Sequence, residues 1–179
     1  MNKQELEQKI EQLQKQLDEL KNVKVDETKK RWIPVENERY YYINGDLKIG
    51  DVIFYDDKYD NNLIELGDCF NTKEEAQFVA DKIKYNLMFK NYVEEHSEPL
   101  DWKNHQQEKW CVYYDYYNNC IGCDWRVGLK IQGEIYASSK QILKDAINYV
   151  GEENVKKYIL GVWKRRNNEK VFYWNNWER

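Results

Sequence analysis

Apolar residues fall along this chain in two rhythms: heptads at the start, then shorter strand and helix patterns. Leu6, Ile10, Leu13, Leu17 and Leu20 are separated by four, three, four and three residues. That is the alternation of d and a positions in a coiled coil, with Ile10 and Leu17 at a. The intervening Glu, Gln, Lys and Asp residues are good helix formers on a solvated face. Lys3 and Lys24 interrupt the series at its two ends, so the seam covers about two and a half heptads, too short to hold a dimer unaided. The stripe reads as a self-association helix over residues 3–24, most simply for a homodimer, because Ile at a and Leu at d favour two strands. The competing reading folds the same stripe back onto its own domain.

Past a charged linker the pattern changes. Arg39–Ile43 and Ile49–Tyr55 read as strands joined at Asn44-Gly45-Asp46. Asp56–Asn62 reads as a polar loop, and Leu63–Leu66 as the start of a third strand. Asn71 or Thr72 then caps a long helix, since Thr72-Lys73-Glu74-Glu75 has capping-box form. This helix should reach about Glu95, with Ala76, Val79, Ala80, Ile83 and Leu87 facing inward. After a connection over residues 98–108, Trp110–Tyr117 and Ile121–Ile131 read as a hairpin about Asn118-Asn119, followed by a short strand at Glu134–Tyr136. Ser138 or Ser139 caps a helix to Val150, Gly151 breaks it, and Glu152–Ile159 forms one more short helix before Gly161. Gly67-Asp68-Cys69-Phe70-Asn71-Thr72 is echoed by Gly133-Glu134-Ile135-Tyr136-Ala137-Ser138, which points to two β-β-β-α units. The expected product is an α+β fold, an antiparallel sheet with helices on one face. The divisions are 1–31 for the heptad helix and linker, 32–161 for the α+β domain, and 162–179 for a C-terminal extension.

Composition narrows the class. Among 179 residues there are 15 Tyr, 7 Trp and 5 Phe but only 2 Pro, a content of bulky rings foreign to disordered chains. No apolar run approaches the roughly 20 residues of a membrane span, and the charged N-terminus lacks the form of a secretory signal, so a cytoplasmic location is expected. The net charge of -4 excludes a generally basic nucleic-acid binder. Its distribution is uneven: residues 32–71 carry 9 acidic and 3 basic side chains, whereas residues 162–179 carry 2 and 5.

Three groups of residues could carry chemistry. Asp56, Asp57 and Asp60 stand among aromatics, and such a loop could occupy a basic groove or simply be solvated. Trp163, Arg165, Arg166, Trp174 and Trp177 mix cations with aromatics, a combination that pairs phosphates and stacks bases or, as one more strand, packs on the sheet. Cys120 and Cys123 have the spacing of half a zinc site, which Cys111 with His96 or His105 would have to complete. Their odd separation on a strand sends them to opposite faces, which favours plain reduced thiols and no metal. Tyr113, Tyr114, Tyr116 and Tyr117 alternate, so one pair should face the core and the other solvent. No catalytic or cofactor-binding motif stands out.

Trp32-Ile33-Pro34, Glu38-Arg39-Tyr40-Tyr41-Tyr42-Ile43, Gly67-Asp68-Cys69-Phe70-Asn71-Thr72-Lys73-Glu74-Glu75-Ala76 and Ile159-Leu160-Gly161-Val162 resemble a group of small proteins from phages and prophages of low-GC Gram-positive bacteria. The resemblance spans about residues 32–162 and brings no catalytic residues with it. It implies a non-enzymatic accessory protein that binds a host macromolecule. The job expected within that class is stoichiometric inhibition of an antiphage defence system, of the anti-CRISPR type, with a nuclease effector as the host partner. The alternative is a nucleic-acid or nucleotide binder that uses the basic aromatic tail.

Overall fold

The computed structural model describes residues 31–162 and, outside that range, only Lys9 and Gln14. The heptad residues Leu6, Ile10, Leu13, Leu17 and Leu20 and the tail residues Trp163, Arg165, Arg166, Trp174 and Trp177 lie outside the described residues. Within them the fold is a mixed α+β arrangement of two hairpins and four helices. In order these are β1 (Arg39–Ile43), β2 (Ile49–Ile53), α1 (Lys58–Leu66), α2 (Lys73–His96), β3 (Lys109–Asp115), β4 (Cys120–Arg126), α3 (Lys140–Val150) and α4 (Glu152–Asn154), which continues as a π-helical turn over Val155–Ile159.

The sheet is not continuous. β1 pairs antiparallel with β2, and β3 with β4, as two separate two-stranded sheets. Each gains a third partner at one position only: Phe70 bridges Tyr41, and Ala137 bridges Trp110. The bridge residue lies two positions before a helix cap in both cases, Thr72 for α2 and Ser139 for α3, and each cap hydroxyl accepts from the amide three residues on. The two units therefore correspond residue by residue, with Cys69 matching Tyr136 and Phe70 matching Ala137. That register is one residue away from the echo read in the sequence, which aligned Phe70 with Tyr136. Backbone pairing and capping decide it, whereas the sequence echo was set by two glycines.

The expected third strand at Leu63–Leu66 is the end of a helix, and the polar loop before it is that helix's beginning. Asp57 is the N-cap of α1 and its side chain accepts from the Asp60 amide, while the Asp60 side chain returns to the Asp57 amide. This reciprocal capping satisfies donors that a helix start leaves orphaned. Gly67 ends the helix at φ 86°, a left-handed conformation in which glycine carries no Cβ penalty. α1 also overturns the expectation of helices on one face. Tyr40, Tyr42, Val52 and Phe54 pack with Leu63 and Ile64 of α1 and with Trp32 and Cys69. α2 packs against both strands of the same hairpin but contributes nothing to that cluster, so it takes the other face.

α2 has two neighbours, and that changes its buried stripe. Ala76 and Ala80 are buried in its first half, where small residues allow close approach, and Phe89 and Val93 are buried in its second half. The latter two join Leu143, Ala146 and Val150 of α3, with Val155 and Ala137, in the main core. Ile83 and Leu87, expected inside, are exposed, because the contact surface passes from the first hairpin to α3 partway along the helix. The π-helical turn crosses α2 at Tyr158, whose ring stacks on Tyr85 at 5.0 Å and whose hydroxyl donates to Asp81. The second hairpin sends Trp110, Val112, Ile121 and Cys123 into the main core. No helix among the described residues is long and apolar enough to cross a membrane.

Candidate partner-binding surfaces

The acidic segment is divided by the fold. Asp56 and Asp57 are exposed, but Asp60 is only 2% exposed. Its Oδ1 accepts from the Tyr40 hydroxyl at 2.7 Å and its Oδ2 from the Tyr55 amide at 2.8 Å. Burial disfavours its charge, yet the hydrogen bonds from Tyr40 and from backbone amides outweigh burial and hold its pKa below the usual carboxylate range. The Tyr40 phenol moves the opposite way, raised by burial and by the carboxylate it serves. Cys69 lies in the same cluster, and burial pushes its thiol up to about 11, which makes it a poor nucleophile. Asp60 thus locks α1 to β1 and is not part of a surface that meets a partner. Asp56 is tied to Asn61, whose side-chain amide donates to its carboxylate at 3.0 Å.

The matching position of Tyr40 in the second unit is Lys109, by the bridge correspondence. Lys109 is fully buried, and its ammonium donates to the carbonyls of Asn104 and Gln107 at 2.7 and 2.8 Å and faces the Trp102 ring. A buried cation survives only when its donors are satisfied, and here loop 98–108 satisfies them. Beside it, the Tyr136 hydroxyl donates to Glu134 and accepts from the Ile131 amide. Glu134 also lies 3.5 Å from Arg126 Nε. Burial and the Glu134 charge raise the pKa of Cys111. These groups hold loops 98–108 and 127–136 against one end of the hairpin.

The other end of that hairpin is open. Tyr113, Tyr116 and Tyr117 are 44%, 78% and 96% exposed. Only Tyr113 and Tyr114 lie on β3; Tyr116 and Tyr117 are in the turn, so the expected strand alternation stops at Asp115. The Asp115 carboxylate accepts from the amides of Tyr117 and Asn118 and from the Asn118 side chain. Those bonds fix the turn and hold Asp115 in its charged form. Tyr116 meets Tyr114 edge-on at 5.0 Å.

The thiols are dispersed. Cys123 faces the main core, Cys120 is exposed at the hairpin end, and Cys111 is buried on the face opposite Cys123. His96 stacks on Tyr92 at 4.1 Å, and its Nδ1 is 2.7 Å from the Tyr92 carbonyl. Among the described residues no group of three or more His, Cys, Asp or Glu side chains is placed to hold a metal ion. Of Tyr113, Tyr114, Tyr116 and Tyr117 the sequence pattern places one pair in solvent, whereas three are exposed, because the strand ends at Asp115 and does not continue through Tyr117.

Compared with family models, curated proteins and solved structures, the chain matches none.

Proposed function

We propose that this chain is a binding protein that works by occupancy, as a stoichiometric inhibitor of a bacterial antiphage defence system acting in the bacterial cytoplasm. The partner in this reading is a host nuclease effector of the kind anti-CRISPR proteins block. The observation that carries the binding reading is the exposed tyrosine cluster at the tip of the second hairpin. Tyrosine is enriched where interfaces derive their energy, because it brings a large rigid ring and a polar end. The chemically capable groups Asp60, Lys109, Cys111 and Glu134 are meanwhile engaged in holding loops and helices in place. The heptad stripe over residues 3–24 adds self-association, so that two such surfaces are presented together.

Occupancy predicts that inhibition of the target titrates at a fixed molar ratio and then saturates. Inactivation of excess target by trace protein overturns the reading. Light scattering checks assembly: the full chain should give a dimer mass, and a chain with Leu13→Glu and Leu17→Glu, or one lacking residues 1–25, a monomer mass.

A further inference from the structure

The outer faces of the two hairpins share a device. On β1–β2, Tyr42 is paired directly with Gly50, and a Cβ built on Gly50 would stand 2.5 Å from the Tyr42 ring. On β3–β4, Tyr113 is paired directly with Gly122, and a Cβ there would stand 2.2 Å from the Tyr113 ring. In both, a tyrosine lies across a glycine that has no side chain to displace it, a cross-strand arrangement that fixes the ring on the sheet. The first ring is then covered, since Tyr59 of α1 meets Tyr42 edge-on at 6.2 Å. The second unit has no helix between β4 and the bridge at Ala137, and Tyr113 stays 44% exposed.

The surroundings of the open ring select its ligand. By strand parity Asp115 on β3 and Asp124 on β4 share its face, one two residues along the strand and the other diagonal across Gly122. Asp115 remains charged while it holds the turn. Asp124 is exposed; its Oδ1 accepts from the Trp125 amide, and Oδ2 has no hydrogen-bond partner among the described residues. Two carboxylates on the face of an exposed aromatic ring, with Arg126 of that face set against Glu134, repel phosphate and attract a cation. Lower down, the ammonium groups of Lys109 and Lys130 lie 5.7 and 5.5 Å from the Trp102 centroid, Lys109 with backbone carbonyls as its acceptors, so a cation over an aromatic ring already occurs at the closed end. A guanidinium fits better than an ammonium at the open end, because it can lie flat on the ring and turn its edge to the carboxylate.

We infer that Tyr113 and Asp124 form an arginine-binding platform on the second hairpin, and that its occupant is an arginine-bearing surface segment of the protein partner. The inference rests on the occupancy reading and names the surface and the chemistry by which it operates.

The test uses the full chain, labelled for NMR, and an acetylated Arg-Gly-Arg peptide amide as the probe, with Lys-Gly-Lys and an oligothymidylate as comparators. The arginine peptide should shift the signals of Tyr113, Gly122 and Asp124 and leave those of Tyr42 and Gly50 in place. Tyr113→Leu should weaken it about fivefold by loss of the ring face, and Asp124→Asn about threefold by loss of an exposed charge partner. Asp124 is exposed, so its variant remains informative even where Tyr113→Leu perturbs the strand. Equal shifts with the lysine peptide, shifts only with the oligothymidylate, or unchanged binding in both variants would overturn the platform. Because the peptide is read on this chain alone, such a failure leaves the fixed-ratio titration of a target standing. Turnover of excess target removes occupancy whatever the peptide does.

Discussion

The two units are built on one plan, a hairpin, a single bridging residue and a capped helix, and they differ in what connects the hairpin to the bridge. In the first unit that connection contains α1, which covers the outer face of β1–β2 and encloses Tyr40, Asp60, Phe54 and Leu63. In the second the connection is a helix-free loop, and it closes only the end of the hairpin near Lys109, Cys111 and Tyr136. The positions nearest the bridge, Tyr40 and Lys109, are buried in both units, and the difference lies in how much of the rest of the hairpin face the connection covers. A tyrosine laid over a glycine packs under a helix in the first unit and meets solvent in the second. The pair illustrates how the structure of a single connection decides whether the same tyrosine-over-glycine device is covered or left open to solvent.

The comparison breaks most severely at the buried polar position. Asp60→Ala leaves the Tyr40 hydroxyl and the Tyr55 amide without their acceptor, and should cost about 3 kcal/mol, since each buried orphan carries its own desolvation penalty. Asp60→Lys should be worse, placing an unpaired cation under α1. Reversing all three of Asp56, Asp57 and Asp60 to lysine is therefore not a clean surface test, because it removes this lock and the N-cap of α1 together. In the second unit Lys109→Met keeps the aliphatic stem but loses the bonds to the Asn104 and Gln107 carbonyls, and should cost about 2 kcal/mol. Urea unfolding measures both. Equal stability of Asp60→Ala and wild type would mean that α1 does not depend on the buried carboxylate.

A smaller effect separates the glycines. Gly50→Ala pushes the Tyr42 ring toward Tyr59 and should cost about 2 kcal/mol, the usual scale for overpacking. Gly122→Ala meets a ring with solvent on its far side, so Tyr113 can swing outward at a cost of about 0.5 kcal/mol. Thermal melts of the two variants should rank them in that order, and the reverse order would show that Tyr113 is held more tightly than its exposure indicates.

Much of this division was legible in the residues and part of it was not. The caps at Thr72 and Ser139 and both hairpins follow from local patterns that need no tertiary partner. α1 did not, because its apolar residues, Leu63, Ile64 and Leu66, cluster at its end and show no helical period over so short a run. The Asp57 and Asp60 spacing was the available sign, since an acidic residue three positions after a cap residue is a helix start. Asp60 reads as part of an exposed loop, either solvated or set in a basic groove, because its burial depends on Tyr40, 20 residues away in sequence; the burial of Lys109 depends likewise on a loop that no local pattern signals. The inward face of α2 was misassigned at Ile83 and Leu87 because one period was extended along a helix that changes neighbours. Tyr113 matched the alternation, but only its glycine partner and the missing helix make it a surface.

Titration separates the units at a lower level. Asp60 has a folded pKa below its unfolded value, so its contribution to stability is complete above about pH 4, where the unfolded carboxylate is also charged. That contribution is lost as pH falls through the depressed folded pKa. Urea midpoints for wild type and Asp60→Asn, followed from about pH 6 to about pH 2, should therefore converge as acid is added. A constant gap over that range would mean that the carboxylate gains nothing from its ionised form.

The least effect on stability, and the sharpest contrast with the first unit, is expected at the hairpin tip. Tyr117 is almost wholly exposed, and in the turn it is the backbone amide of Tyr117, not its side chain, that bonds to Asp115. Tyr117→Ser keeps that amide and should leave stability within about 0.5 kcal/mol of wild type, the range of a surface change that removes no buried contact. If the tip contacts a partner, the same substitution should weaken binding by about tenfold, as loss of an interface aromatic does. In the first unit no such dissociation of the two effects is available at Tyr42, where removing the ring exposes the cluster under α1 and costs stability directly. A variant pair, Tyr117→Ser and Tyr42→Ser, measured by urea unfolding and by titration against a captured partner, sets the two cases side by side. Loss of stability without loss of binding at Tyr117 would reverse the assignment of recognition to the second hairpin.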